Sequence, residues 1–171
     1  LPIKNEIKML EIGTGTGIIS IYATTKGISS AVATDINPAA VENAKENVRF
    51  HNLSHKVKVL KSDLFKNLKN NKFDLIFFNV PFCYTKKRDL SMLERALYDT
   101  NYKTINKFVH EAKNYVTKNG KVMIGFSPDF GDINRLKEIT KKNNCNLKLV
   151  KNIITKRNNF NIKLQIFQLL F

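Results

Sequence analysis

The chain has 171 residues, 43% of them hydrophobic, which is the length and composition of about one globular domain with a core of its own. No apolar run could span a bilayer and no charged-then-apolar leader opens the sequence, so we expect a cytoplasmic protein without a membrane partner. The 29 Lys and Arg residues outweigh the 14 Asp and Glu residues and give a net charge of +15. This charge favours a polyanionic partner such as RNA, although a general enrichment in lysine would produce it too.

Strands and helices alternate along the sequence. Strands are predicted at Lys8–Ile12, Ala31–Ile36, Lys56–Lys61, Phe73–Asn79, Lys121–Ser127, Leu147–Ile154 and Lys163–Leu170. Helices are predicted at Gly17–Lys26, Pro38–Asn52, about Tyr102–Thr117 and Asp132–Asn143. The continuously apolar run Leu75–Phe78 is typical of parallel strands that are buried on both faces. The pattern predicts a single doubly wound α/β domain over residues 1–171.

The ends of the predicted elements refine this fold. Pro38 suits the first turn of a helix, and the pair Asn119-Gly120 suits a helix stop. The connection Thr155–Ile162 is too short for a crossover helix, so the last two strands must pair as a hairpin. We therefore expect a seven-stranded, mostly parallel sheet whose antiparallel last strand lies at an edge.

Cysteine and histidine are too sparse to build a disulfide framework or a metal site. Cys83 and Cys145 are the two cysteines, and His51, His55 and His110 are scattered. No C-x-x-C or H-x-x-x-H spacing is present. We expect two free thiols and no metal.

A glycine turn follows the first predicted strand and opens the first helix. Its candidate ligand contacts are Glu11, Gly13, Thr14, Gly15 and Gly17. Glycines permit positive φ and close approach of a ligand to the main chain, and a helix start offers unpaired N–H donors. Dinucleotides and S-adenosylmethionine both use such a cradle, and an ordinary strand-to-helix turn is the alternative. The dinucleotide spacing G-x-G-x-x-G fails, because its last position falls on Ile18 or Ser20.

Acids follow the second and third predicted strands. Asp35 lies eighteen residues after Gly17, where a carboxylate can accept both hydroxyls of an adenosine ribose. Asp63 follows the third strand, at the carboxyl edge of the sheet where open α/β folds bind ligands. The alternatives are local: Asp35 could cap the next helix, although Asn37 can do that, and Ser62 with Asp63 could cap a short turn.

The segment Asn79-Val80-Pro81-Phe82 comes directly after the fourth predicted strand. It resembles the N-P-P-Y/F motif of methyltransferases that modify planar nitrogens, with Val80 in place of the first proline. The glycine turn, read as E-x-G-x-G-x-G from Glu11, resembles the first motif of class I S-adenosylmethionine-dependent methyltransferases. The resemblance covers nearly the whole chain and is closest to the small-domain methyltransferases. It implies a Rossmann-like sheet, in which the seventh strand inserts antiparallel, and S-adenosyl-L-methionine as the cofactor.

The resemblance also implies roles for individual residues. Asp35 matches the residue that holds the ribose, and Ile36 matches the one that packs on adenine. The turn Ser62-Asp63-Leu64 matches residues around the adenine amino group. We assign Asn79 to the cofactor-binding residues as well as to the catalytic ones. The known targets of the motif are exocyclic amines of bases and side-chain amides of glutamine.

The chemistry of a planar amine explains the residue types of this motif. The nitrogen lone pair is delocalised, so the amine is a poor nucleophile. The Asn79 carboxamide and the Val80 carbonyl can accept its two N–H bonds and aim the lone pair at a methyl group. Pro81 would stiffen the loop, and Phe82 could stack on the flat substrate. A strand-end asparagine in a proline turn is the structural alternative.

Two basic clusters are candidates for contacting substrate phosphates. Lys86, Lys87 and Arg88 lie in a long predicted loop, Cys83–Asp99, that leaves the motif. Lys156 and Arg157 lie at the final hairpin turn, on the same edge of the sheet. Either cluster could instead be a solvated loop.

The sequence thus predicts an S-adenosylmethionine-dependent N-methyltransferase that acts on an exocyclic amine of a base in rRNA or tRNA. The alternatives are a protein glutamine N5-methyltransferase of the release-factor type and a catalytically silent RNA-binding module of the same fold. The positive charge favours RNA, whereas Asn79 suits a base amine and a glutamine amide equally well.

Overall fold

The computed structural model describes residues 6–69, 71–157 and 160–171. The strands are β1 Lys8–Ile12, β2 Ser30–Asp35, β3 Val57–Lys61, β4 Phe73–Asn79, β5 Cys83–Thr85, β6 Tyr98–Thr100, β7 Val116–Phe126, β8 Asn146–Arg157 and β9 Phe160–Leu170. The helices are α1 Ile18–Thr25, α2 Pro38–Phe50, α3 Lys103–Ala112 and α4 Ile133–Lys142, with a 3-10 turn at Glu94–Ala96. Within these described residues, none of the helices has the length and apolar character needed to cross a membrane.

Seven strands form one sheet in the order β3-β2-β1-β4-β7-β9-β8. β1 and β2 pair in parallel, as do β2 and β3, whereas β9 is antiparallel to both β7 and β8. The predicted α/β class and the final hairpin are confirmed. The expectation that the antiparallel strand lies at the edge was wrong, because β9 inserts between β7 and β8. Exposed Lys148, Lys151 and Asn152 on β8 suit an edge strand, whereas Phe167 and Leu169 of β9 are buried.

The first of two compact units contains the described residues up to Phe77 together with Tyr115–Lys121. Its core is formed by aliphatic side chains, namely Met9, Ile21, Ala31, Ala33, Val41, Ala44, Val48, Val57 and Val59. Helix α2 starts as predicted, since Pro38 is its first residue and the Asn37 side chain accepts the Ala39 N–H.

The second unit contains Phe78–Asn114 and Val122–Phe171. Its buried side chains include Val80, Tyr102, Ile105, Phe108, Val109, Val122, Ile124, Phe126, Leu136, Phe167 and Leu169. Asp99, which is 2% exposed, accepts the N–H groups of Thr104 and Ile105 at 3.0 and 2.9 Å. Asp132 does the same for Asn134 and Arg135 at the start of α4. Each acid thus satisfies two donors that a helix start leaves unpaired.

Two local predictions were wrong in the stretch around α3 and β7. The helix ends at Ala112 and not at Thr117, because the chain joins β4: the Phe73 N–H donates to the Tyr115 carbonyl, and the Thr117 hydroxyl donates to Asp74. Gly120 therefore lies within β7 and does not stop a helix. A Cβ there would lie 2.9 Å from the Phe73 carbonyl oxygen, so glycine permits close approach of the two strands.

The predicted loop Cys83–Asp99 is more ordered than its sequence indicates. β5 and β6 pair in parallel, with Cys83 opposite Tyr98 and Thr85 opposite Thr100. The Thr100 hydroxyl also donates to the Lys87 carbonyl at 2.6 Å. These bonds close the segment into a small two-stranded sheet of its own.

Candidate functional site

The glycine turn of the first unit has the backbone that its sequence predicts. Gly13, Gly15 and Gly17 have φ angles of 65°, 56° and 82°, all in the left-handed region that favours glycine. A Cβ on Gly17 would lie 3.3 Å from the Ala44 Cβ, so this glycine lets α1 start close to α2. A Cβ on Gly15 would meet no atom within 4 Å. The turn is therefore open to a ligand beside Gly15.

Glu11 braces this turn from inside the protein, where it is 1% exposed. Its Oε2 atom accepts hydrogen bonds from the Thr14 hydroxyl at 2.8 Å, from the Ser20 N–H at 3.0 Å and from the Ser20 hydroxyl. Burial raises the pKa of Glu11, and the bonds from Ser20 and Thr14 oppose that rise. The three bonds tie the glycine turn to the first turn of α1.

Asp35 lies against the same turn and is half-buried. Its Oδ2 atom accepts the Gly15 N–H at 3.0 Å, and its Oδ1 atom accepts the Asn37 N–H at 2.9 Å. Each carboxylate oxygen has a second lone pair, so Asp35 can still accept two hydroxyl groups. Ile36, also half-buried, follows it. Because Asn37 caps α2, the alternative role of Asp35 as that cap was wrong.

The turn after β3 is attached to the end of β2. The Ser62 N–H donates to the Asp35 carbonyl at 2.9 Å, while the Ser62 hydroxyl donates to the Leu64 carbonyl and accepts the Asn67 N–H. Ser62 therefore shapes this turn, as the local alternative expected. Asp63 is exposed, and Leu64 is buried with a φ of 50°. The first unit thus brings Glu11, Thr14, Gly15, Asp35 and Ser62 together through one hydrogen-bond network.

In the second unit, Asn79 ends β4 beside Gly125 of β7. Asn79 is exposed, and the Val80 N–H behind it donates to the Gly125 carbonyl at 3.2 Å. A Cβ on Gly125 would lie 2.7 Å from the Asn79 Oδ1 atom. The carboxamide therefore occupies space that only glycine leaves open. A glycine inside the apolar strand Val122–Phe126 was the sequence signal for this close approach, and our sequence reading missed it.

The backbone of Phe82 is hydrogen-bonded to Tyr102, another residue whose role the sequence did not predict. The Tyr102 hydroxyl donates to the Phe82 carbonyl at 2.5 Å and accepts the Asp132 N–H at 2.8 Å. Tyr102 is 1% exposed, and this burial raises the pKa of its hydroxyl above the ordinary value. Pro81 is buried, whereas Phe82 is half-buried. The backbone of the motif is thus fixed while the Phe82 ring stays accessible.

The basic candidates differ in their surroundings. Lys86, Lys87 and Arg88 are all exposed, but the Lys87 ammonium lies 2.6 Å from a Glu94 carboxylate oxygen. This bond from Lys87, with further bonds from Ser91, lowers the pKa of Glu94 to about 2. Lys156 is exposed, and the side chain of Arg157 lies outside the described part of the structure. The Lys87 ammonium thus forms an ion pair within its own loop.

The described residues contain no group of three His, Cys, Asp or Glu side chains that could hold a metal ion. Cys83 and Cys145 are free thiols. Burial raises the pKa of both, to about 11 for Cys145. Neither thiol is poised as a thiolate nucleophile.

Residues 1–156 match the family described as the methyltransferase small domain. The chain belongs to this family. Its members are class I S-adenosylmethionine-dependent methyltransferases, so the predicted family, cofactor and enzyme class are confirmed.

Two relatives of this small-domain methyltransferase are named as glutamine enzymes. One, a Methanocaldococcus jannaschii protein named provisionally as a protein N5-glutamine methyltransferase, is 36% identical over 154 residues, covering 86% of this chain and 76% of that protein. The other, the ribosomal protein uL3 glutamine methyltransferase of Francisella tularensis, is 33% identical over 127 residues, covering 68% of this chain and 40% of that protein. The chain thus spans less than half of the second relative.

Solved structures show the same fold. The small-domain methyltransferase superposes on ribosomal protein L11 methylase from Lactobacillus delbrueckii subsp. bulgaricus with a TM-score of 0.65 and 19% identity, over 96% of this chain and 71% of that one. It superposes on the M1A22 tRNA methyltransferase TrmK of B. subtilis with a TM-score of 0.64 and 16% identity, over 98% and 62% of the two chains. The Rossmann-like sheet is confirmed.

Proposed function

We propose that this small-domain methyltransferase transfers a methyl group to the side-chain amide nitrogen of glutamine in a protein. The observation that carries the proposal is the 36% identity, over 76% of its length, to a relative named for that reaction. The carboxamide of Asn79, which packs against Gly125, is compatible with it because a planar amide can donate to this oxygen, as a base amine also can. We therefore prefer glutamine to the RNA base that the charge alone favoured.

The first unit has the residues to hold the cofactor. The glycine turn is open beside Gly15, and the Asp35 carboxylate retains acceptor capacity for the two ribose hydroxyls. We propose that Gly13 and Gly15 admit the cofactor to the main chain, and that Ile36 and Asp63 contact its adenine. When bound, S-adenosylmethionine supplies an electrophilic methyl group on a sulfonium centre.

Asn79 and Val80 would activate the acceptor. The amide nitrogen of glutamine is planar, and its two N–H bonds can donate to the Asn79 Oδ1 atom and to the Val80 carbonyl. The Val80–Gly125 hydrogen bond holds the backbone that carries the Val80 carbonyl, and the Asn79 side chain packs against Gly125, so both acceptors are in place before the substrate binds. These two hydrogen bonds would orient the substrate nitrogen so that its lone pair points out of the plane of the glutamine amide. The proton that the product loses can leave to solvent, since Asn79 is exposed.

A base amine in RNA is the second candidate substrate. The net charge of +15 favours it, because phosphate neutralisation stabilises complexes with RNA. The exposed residues Lys86, Arg88 and Lys156 are the proposed phosphate contacts. Lys87 and Arg157 complete the two clusters that the sequence predicts.

The test uses methyl-tritiated S-adenosylmethionine with three acceptors offered separately. These are a mixture of short synthetic peptides with a central glutamine and random flanks, a matched mixture with a central asparagine, and total RNA. We expect label in the glutamine peptides and in neither of the other two. Label that enters RNA instead would overturn the choice of substrate, and the Asn79→Ala variant serves as the inactive control.

A further inference from the structure

An exposed aromatic ring lies beside Phe82 and has no assigned role. Phe130 belongs to the turn Ser127–Gly131 that follows β7, and it is 55% exposed. Its ring centroid lies 6.2 Å from that of Phe82 with an angle of 30° between the planes. The Phe126 ring meets the Phe82 ring edge-on, with centroids 6.5 Å apart. Phe82 and Phe130 thus form one aromatic surface, which we call the Phe82–Phe130 wall.

The turn that carries Phe130 is held in a fixed conformation. The Gly131 N–H donates to the Ser127 carbonyl at 2.9 Å, and the Asp129 carboxylate accepts the Lys163 N–H at 2.6 Å. A Cβ on Gly131 would lie 2.6 Å from the Phe82 carbonyl oxygen and would also collide with the Phe126 ring. Glycine at this position therefore lets the turn pack directly on the backbone of Phe82.

Tyr102 connects the two segments that carry the wall. Its hydroxyl donates to the Phe82 carbonyl and accepts the N–H of Asp132, the residue after Gly131. One buried side chain therefore holds the backbone of Phe82 and that of Asp132, which lies two residues after Phe130. An exposed phenylalanine on a mobile loop would lose freedom on binding a ligand, but one that is held in advance loses little.

We infer that the Phe82–Phe130 wall contacts the acceptor side chain, and that Phe130 is a specificity residue for it. The inference rests on the proposed function, in which Asn79 and Val80 take the amide end of glutamine. The two methylene groups of that side chain are apolar and need a surface that removes them from water. A ring pair adjoining the Asn79–Phe82 motif provides such a surface, and Phe130 is the ring with the larger exposed area to cover.

The test compares Phe130→Ala and Phe130→Leu with Phe50→Ala, a matched control whose ring is 82% exposed on α2. Rates are measured on the glutamine peptide mixture at saturating S-adenosylmethionine. We expect Phe130→Ala to raise KM about tenfold, with kcat nearly unchanged, and Phe130→Leu to give an intermediate KM. Binding of S-adenosylhomocysteine, measured by calorimetry, should be the same in all variants. Peptide methylation with a wild-type KM in Phe130→Ala would overturn the inference and leave the proposed function standing.

A second readout does not depend on turnover. The ring signals of ¹³C-phenylalanine are recorded by NMR with S-adenosylhomocysteine bound, and the Phe130 signal is assigned by its absence from the Phe130→Leu spectrum. Addition of the glutamine peptides should shift this signal and leave that of Phe50 in place. If the wild type methylates RNA and not peptides, the proposed function fails. A Phe130 signal that shifts only with RNA overturns the inference as well, because RNA has no glutamine side chain to cover. A signal that moves with neither probe overturns the inference.

Discussion

The Asn79–Gly125 contact is the tightest restraint on the proposed acceptor group. Because a Cβ on Gly125 would lie 2.7 Å from the Asn79 Oδ1 atom, Gly125→Ala must push the carboxamide aside. We expect this variant to lose about 100-fold or more in kcat, the size of loss seen when a single oriented polar group is removed from an active site. Binding of S-adenosylhomocysteine should be nearly unchanged. Initial rates and calorimetry measure the two quantities.

A double-mutant cycle separates this effect from general damage to β7. In the Asn79→Ala background no carboxamide remains to be displaced, so Gly125→Ala should cause little further change in unfolding free energy. Urea denaturation of the two single variants and the double variant gives the coupling. Additive losses of stability would show that the methyl group collides with something other than Asn79.

Glu11 predicts a pH dependence of stability with a definite sign. Burial raises the pKa of Glu11 in the folded protein above its ordinary value of 4.5. At a pH between 4.5 and that raised pKa, the native state therefore binds more protons than the unfolded state. The free energy of unfolding therefore falls as the pH rises from 4.5 through the native pKa, and then levels off. Glu11→Gln keeps an oxygen acceptor and removes this titration.

The measurement is urea denaturation of wild type and Glu11→Gln across a series of pH values. The stability of the wild type relative to the variant should decrease with rising pH in that window. Asp99, whose pKa burial also raises, is common to both proteins and cancels in the difference. A difference that increases with pH would mean that the hydrogen bonds from Ser20 and Thr14 outweigh burial.

The sequence predicted these residues unequally well. Glu11, Asp35 and Asn79 could be found because local spacing puts them at the ends of apolar strands. Gly125 and Tyr102 act on partners far away in the chain, Asn79 and Phe82, so their roles depend on contacts that spacing does not encode. Phe130 lies in a short Ser-Pro-Asp-Phe-Gly turn, which marks a turn but not what it packs against.

Two helix starts offer a matched comparison of capping acids. Asp99 is 2% exposed and Asp132 is half-buried, yet each accepts two N–H groups of a first helical turn. Asp99→Ala should destabilise the protein by about 1–3 kcal/mol, because two donors are left inside the protein without water. Asp132→Ala should cost about 1 kcal/mol, since solvent can replace the carboxylate. Chemical denaturation of both variants tests this order, and equal losses would contradict it.

The positions of helices and strands followed the predictions where the chain carries its own signals. Asn37-Pro38 starts α2, and the short connection after β8 forces a hairpin. The errors came where a distant strand competes with a local preference: Tyr115–Thr117 continue a helical pattern but pair with β4. β5 and β6 escaped notice for the same reason, since three residues carry no periodicity until their partner is known.

The pattern of strands and helices alone does not give the strand order, for a related reason, whereas the family resemblance implied the inserted last strand. Alternation of strands and helices predicts a parallel sheet, and a hairpin requires one antiparallel pair. Both are satisfied whether the last strand lies at the edge or between β7 and β8. What selects the inner position is burial of β9, where Phe167 and Leu169 lie opposite Ile124 and Val122. That pairing is a property of the folded sheet.

The net charge of +15 predicts salt-dependent association with RNA whatever the methylated substrate is. Two charge-matched variants distinguish a local contact from a general one: Lys86→Glu with Arg88→Glu in the segment after β5, and Lys141→Glu with Lys142→Glu at the end of α4. All four side chains are exposed.

Affinity for a fluorescent oligouridine is measured over a range of NaCl concentrations. We expect the first pair to flatten the dependence of log K on log salt by about 0.7 for each lost phosphate contact, and the second pair to change it less. Equal changes would assign the attraction to the overall charge and would remove Lys86 and Arg88 from the proposed phosphate contacts.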